Sequence, residues 1–126
     1  NSTDLFKMSD ILTIHTKLSD RTLGYIDKDN LNLMKKTSII VNTSRGPIIK
    51  EHDLIKALNN NVISGAALDV YDQEPLPRGH ILRKTKNLIL TPHIGYVSKE
   101  AYEKFFNGYL KAIKAFINKK PINQIS

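Results

Sequence analysis

Several polar side chains in this sequence stand just after short apolar runs, and together they could handle a proton and an anion. Arg45 follows Ile39-Ile40-Val41-Asn42-Thr43-Ser44 and precedes Gly46-Pro47, so the backbone must turn there while the guanidinium reaches outward. Such a group suits two-pronged recognition of a carboxylate. Glu74 precedes Pro75, which holds its backbone extended. His93 stands in Thr91-Pro92-His93-Ile94-Gly95, directly after another apolar run. An imidazole beside a carboxylate is stabilised in its protonated form and can give or take a proton near neutrality. Asp69 ends Gly65-Ala66-Ala67-Leu68, where it could accept hydrogen bonds from an amide ligand or cap a turn. Spacing leaves both open. Each residue alone has an ordinary structural reading: a turn arginine, a loop acid, a strand-end histidine. Convergence on one sheet edge makes them a coherent set.

The elements that must position them show in the apolar pattern. Ile11-Leu12-Thr13-Ile14, Ser38 to Asn42, Gly65 to Val70 and Asn87 to Thr91 are short apolar runs without alternation, each meeting a polar residue at its end. Such runs suit strands buried on both faces. Between them, Leu31 to Lys35 reads as a short helix capped by Asp29 or Asn30, and Glu51 to Leu58 as a second, ended by Asn59-Asn60-Asn61. A third, longer helix carries an apolar stripe at 3–4 spacing from Tyr102 to Ile117, with Ser98 as cap, Glu100 placed to pair with Lys104, and Pro121 beyond its end. Strands alternating with helices predict an α/β fold with a mostly parallel sheet flanked by helices. Ligands of such sheets bind beyond the carboxyl ends of the strands. His15-Thr16, Asn42 to Gly46, Asp69 with Glu74, and Thr91-Pro92-His93 all fall there.

Composition narrows the function classes. The chain has 126 residues, 40% hydrophobic and 25% charged, which suits one folded domain. No apolar stretch nears the ~20 residues of a membrane-spanning helix. Cys is absent, which excludes a disulfide scaffold, a thiolate zinc site and a cysteine nucleophile, and fits a reducing cytosol. No metal is expected. The net charge of +7 invites a nucleic-acid reading until its placement is considered. Residues 1–77 are nearly balanced, and the surplus lies in Arg78, Arg83, Lys84 and Lys86 and in the lysines after residue 98. Fifteen basic residues are Lys and only four are Arg, without interleaved aromatics, so a solvated lysine surface is the better reading. Neither nucleic acid nor membrane is expected as a partner.

Val41-Asn42-Thr43-Ser44-Arg45-Gly46, Gly65 to Tyr71 with Gln73-Glu74-Pro75, and Thr91-Pro92-His93-Ile94-Gly95 resemble the NAD-dependent D-isomer-specific 2-hydroxyacid dehydrogenases. The resemblance runs from Ser9-Asp10-Ile11 to Lys120-Pro121-Ile122-Asn123, with the motifs in the family's order. It implies a Rossmann-like fold and a hydride transfer between NAD, or NADP, and a small 2-oxo or 2-hydroxy acid. It implies that Arg45 grips the substrate carboxylate, His93 is the general acid/base and Glu74 its partner. Asp69 would contact the nicotinamide carboxamide. Thr16, Thr43, Ser44, Arg45, His93 and Gly95 would line the cofactor with Asp69, Gly95 lying beside the catalytic histidine.

The chain departs from the family at Tyr96, where Gly or Ser is common, and at Ile81, where proline is common. Larger is the absence of any G-x-G-x-x-G phosphate loop. The expectation is therefore a carboxyl-terminal portion of a dehydrogenase. Residues 1–97 would be the second half of the cofactor domain, and residues 98–126 a helix and tail leading back toward a substrate domain. The complete enzyme is expected to be a cytoplasmic homodimer, and this chain by itself to be inactive and to bind NAD weakly. The alternative is a dehydrogenase-like regulatory protein that senses dinucleotide without turnover.

Overall fold

A computed structural model of the protein describes residues 1–124, which fall into two compact units, one spanning Asn1–Ile94 and one beginning at Gly95. In the first unit, helix α1 (Ser2–Met8) is capped by Asn1, whose Oδ1 accepts from the Asp4 N–H at 2.9 Å, and is anchored by buried Phe6. Strand β1 (Ile11–Ile14) leads to α2 (Lys28–Leu33), then β2 (Ile39–Asn42), a 3-10 turn at Gly46–Ile48, and α3 (Glu51–Asn59). Strand β3 (Gly65–Leu68), a 3-10 turn at Ile81–Lys84 and β4 (Leu88–Leu90) complete it. The sequence pattern gives no sign of α1, because seven residues with one buried side chain carry no readable period. Helix α2 starts three residues ahead of the expected Leu31. Asp27 rather than Asp29 or Asn30 is its cap, its carboxylate accepting from the N–H groups of Asp29 and Asn30.

All four strands are parallel, in the order β1-β2-β3-β4. Leu12, Ile40, Ala66 and Leu88 align in one row, and Ile14, Asn42, Leu68 and Leu90 in the row at the carboxyl ends. Thr16, Thr43 to Arg45, Asp69 and Thr91 to His93 therefore leave the sheet along one edge. Right-handed crossovers that all step in the same direction place their helices on the same face. That face is the core: Ile40 and Leu31 are fully buried, with Leu54, Leu58, Ile63 and Leu82 beside them. Burying each such side chain contributes about 1.5–3 kcal/mol. The opposite face stays open, with Ile11 66% and Ile89 68% exposed. Strands buried on both faces are thus observed on one face only.

The second unit holds α4 (Lys99–Ile117), with Ser98 as the expected cap, its hydroxyl accepting from the Ala101 N–H at 3.1 Å. Tyr102 and Phe106 stack one turn apart, and no side chain of α4 is buried. The i,i+4 ion pair observed along it is Lys99–Glu103.

Gly46 shows how closely the loops after β2 and β3 approach. A Cβ there would lie 2.1 Å from the Tyr71 carbonyl carbon and 2.6 Å from the Asp72 nitrogen. Gly46→Ala must push one backbone away, at a cost of about 1–3 kcal/mol. Denaturant unfolding should show a lowered midpoint, and an unchanged midpoint would contradict the close approach.

Candidate active site

The carboxyl end of β2 is shaped by Asn42, which is fully buried. Its Oδ1 accepts from the Ser44 N–H at 3.0 Å and its Nδ2 donates to the Arg45 carbonyl at 2.8 Å, so one side chain folds the turn. Ser44 Oγ donates to the Thr16 carbonyl at 2.5 Å and ties the ends of β1 and β2 together. Thr16 and Thr43 are exposed beside it. Arg45 is exposed as well, its Nη1 donating to the Ser44 carbonyl at 2.7 Å. The sequence-predicted residues after β1 and β2 are thus neighbours.

The ends of β3 and β4 are joined more tightly. Asp69 is 5% exposed, and its Oδ1 accepts from Thr91 Oγ1 at 2.5 Å and from the Ile94 N–H at 2.9 Å. These bonds reach 22 and 25 residues along the chain, so Asp69 holds the segment that carries His93, a role that neither reading left open by spacing gives it. His93 itself has φ 56°, in the left-handed region that few L-residues occupy. Its Nδ1 lies 2.6 Å from Glu74 Oε2, while Glu74 Oε1 accepts from the Tyr71 N–H at 2.9 Å. Both side chains are about one-third exposed, at 39% for His93 and 33% for Glu74.

Desolvation works to raise the Glu74 pKa, but hydrogen bonds from His93 and the Tyr71 N–H, with the charges of His93 and Arg45, outweigh it. The carboxyl is held below its ordinary value. The Arg45 charge acts on Glu74 in the same sense as His93, and a 2.6 Å contact joins Glu74 to His93.

A cavity of about 520 Å³ opens beside the pair, walled by His93, Glu74, Tyr71, Thr91 and Arg83 among others. Arg45, Asp69 and the hydroxyls after β1 and β2 lie outside it. Sequence reasoning missed two of its residues. Arg83 reads as part of a solvated basic surface, yet its Nε donates to the Pro77 carbonyl at 2.9 Å and its Nη2 to the Leu76 carbonyl at 2.8 Å. Tyr71 enters the sequence only as the end of the run from Gly65, yet its hydroxyl reaches the Thr91 carbonyl. Both make contacts set by tertiary folding, for which a linear sequence holds no signal. Among the described residues, no three His, Asp or Glu side chains cluster as metal ligands, and no helix is long and apolar enough to cross a membrane.

Comparison with known proteins shows the family of the chain. Residues 1–95 match the family model described as D-isomer specific 2-hydroxyacid dehydrogenase, NAD binding domain, and the chain belongs to that family. A glyoxylate reductase of Thermofilum pendens is 45% identical over 100 residues, covering 79% of this chain and 30% of its own length. A hydroxypyruvate reductase of Blautia hydrogenotrophica is 36% identical over 123 residues, covering 98% of this chain and 38% of its own. The crystal structure of a D-lactate dehydrogenase with NAD+ from Lactobacillus jensenii superposes with a TM-score of 0.86 at 26% identity, over 98% of this chain and 41% of that one. The chain thus spans about a third of the length of these relatives, 30% of one and 38% of the other.

The depressed Glu74 carboxyl fixes a sign. A carboxyl lowered on folding stabilises the fold fully above its unfolded value, near 4.5, and that contribution is lost as pH falls through the lower folded value. Glu74→Gln should therefore melt below wild type at pH 6 to 7 and converge with it in acid. Thermal unfolding across pH measures this, and a gap that widens in acid would contradict it.

Proposed function

We propose that the full-length protein is a D-2-hydroxyacid dehydrogenase that interconverts a small 2-oxo acid and its 2-hydroxy acid with NAD(H). The observation that carries this reading is the 2.6 Å contact between His93 Nδ1 and Glu74 Oε2, at the strand edge that also presents Arg45. Membership of a family whose matching domain binds NAD supports the cofactor. The residues present fit it: exposed hydroxyls of Thr16 and Thr43 and half-buried Ser44 line the strand ends, and the Asp69 carboxylate stands one strand over to accept from a carboxamide. When bound, the nicotinamide supplies or takes the hydride.

The protein's own residues do the rest. Glu74 accepts from Nδ1, which fixes the ring tautomer and stabilises the imidazolium, so that Nε2 is the nitrogen that exchanges the proton. In the reducing direction Nε2 gives its proton to the carbonyl oxygen as the carbonyl carbon receives hydride. In the oxidising direction it takes that proton back from the hydroxyl. Arg45 holds the substrate carboxylate by two parallel hydrogen bonds and sets the carbonyl within reach of His93. Asp69 keeps His93 in place by gripping the residues on either side of it, besides its part toward the carboxamide. Gly95, which opens the second unit, belongs to this reading as a residue beside the bound cofactor. Division at residue 97 into a cofactor-domain portion and a linking helix, a homodimer and a cytoplasmic location complete it.

Full-length protein with glyoxylate or hydroxypyruvate and NADH or NADPH should turn over. His93→Ala should lower kcat by about 10²–10⁴-fold while cofactor binding persists. Arg45→Ala should likewise lower turnover strongly with cofactor still bound. Wild-type turnover in either variant would contradict the assignment.

A further inference from the structure

The proton-transfer pair is built from two loops that share no backbone pairing, the one after β3 that brings Glu74 and the one after β4 that brings His93. One residue touches both. The Tyr71 N–H donates to Glu74 Oε1 at 2.9 Å, and the Tyr71 hydroxyl lies 2.6 Å from the carbonyl of Thr91, two residues ahead of His93. The hydroxyl also lies 3.1 Å from the Leu68 carbonyl, and with a single proton to give, the shorter contact is the principal one. We propose that Tyr71 is a positioning residue whose hydroxyl sets the distance between Glu74 and His93. The proposal rests on the dehydrogenase reading, because it concerns the pair that moves the proton.

Three further observations support it. Tyr71 is 7% exposed, so water competes poorly for the Thr91 carbonyl. Burial first, then the charges of Asp69 and Glu74, raise the phenol pKa against the opposing effects of Arg83 and the Thr91 bond. The hydroxyl therefore remains a proton donor across the neutral range. Third, His93 occupies a left-handed backbone conformation with φ 56°, which relaxes unless the residues around it are held. Asp69 holds the Thr91 hydroxyl and the Ile94 N–H, and Tyr71 holds the Thr91 carbonyl. Of the charged groups nearby, Arg45 acts on Glu74, Arg83 from the 3-10 turn lines the cavity beside the pair, and Asp69 and Arg83 act on Tyr71. None of them spans from Glu74 to the backbone ahead of His93 as Tyr71 does.

Tyr71→Phe in the full-length enzyme removes the O–H and keeps the ring. The expected result is a kcat reduced about three- to tenfold, KM for cofactor and oxo acid unchanged, and the alkaline limb of kcat/KM for reduction moved to lower pH. The limb moves because a longer Glu74–His93 contact stabilises the protonated ring less. Tyr71→Leu should lower Tm further without moving the limb beyond its position in Tyr71→Phe. A Tyr71→Phe enzyme with wild-type kcat and limb would overturn the proposal. So would a lowered kcat with an unmoved limb, a raised KM alone, or an insoluble variant, since each would assign the hydroxyl to binding or to the fold at large. His93→Ala assayed in parallel separates the two levels. If it turns over like wild type, the dehydrogenase reading fails. If it is inactive while Tyr71→Phe matches wild type, only the positioning role fails.

Discussion

The left-handed backbone of His93 is the constraint around which this site is organised. A non-glycine residue at φ 56° costs on the order of 1–3 kcal/mol, and it persists only where its neighbours are over-determined. Here the neighbours are. Asp69 grips the Thr91 hydroxyl and the Ile94 N–H from the end of the adjacent strand, and Glu74 grips the ring. The parallel register of β3 and β4 places those strand ends side by side. Because Gly46 lets the loop after β2 press against Tyr71 and Asp72, the same arrangement brings the Arg45 turn up to the Glu74 loop. A chain of short-range contacts thus joins β2, β3 and β4 where the chemistry is done.

The sheet that supports this edge is one-sided. Parallel sheets are ordinarily covered on both faces, and this one covers the row of Leu12, Ile40 and Ala66 while leaving Ile11, Ile39 and Ile89 exposed. The cause is topological, since strands added in one direction by right-handed crossovers place every connection on the same side. Site geometry does not suffer, because the functional groups leave the sheet at its carboxyl edge rather than from either face. The net charge of +7 is likewise remote from the chemistry. Most of the surplus is lysine along solvent-exposed segments, and Arg83 is an exception, being spent on two backbone carbonyls.

The four strands are legible in the sequence because each is a short unbroken apolar run, and their parallel order follows from alternation with helices. Arg45 and His93 are singled out as polar residues just after strands, and Glu74 as an acid held before Pro75. What escapes has two causes, short elements without a readable period and contacts between distant parts of the chain. Asp27 wins the cap of α2 because its carboxylate meets the N–H groups of Asp29 and Asn30, whereas the apolar period marks only the later part of that helix. Helix α1 is too short to show a period at all. Asp69 acts on Thr91 and Ile94 from the end of the adjacent strand, and Tyr71 on Thr91 across the same gap, so neither partnership leaves a mark in local sequence.

The tautomer of His93 is the most direct quantity to measure. Two-bond proton–nitrogen NMR correlation of the imidazole, above the pH at which the ring loses its charge, reports which nitrogen keeps the proton. With Glu74 as the acceptor, the neutral ring should carry its proton on Nδ1, leaving Nε2 to exchange one with substrate, and Glu74→Gln should abolish that preference. A wild-type ring protonated on Nε2, or a preference for Nδ1 that survives Glu74→Gln, would contradict the role assigned to the pair.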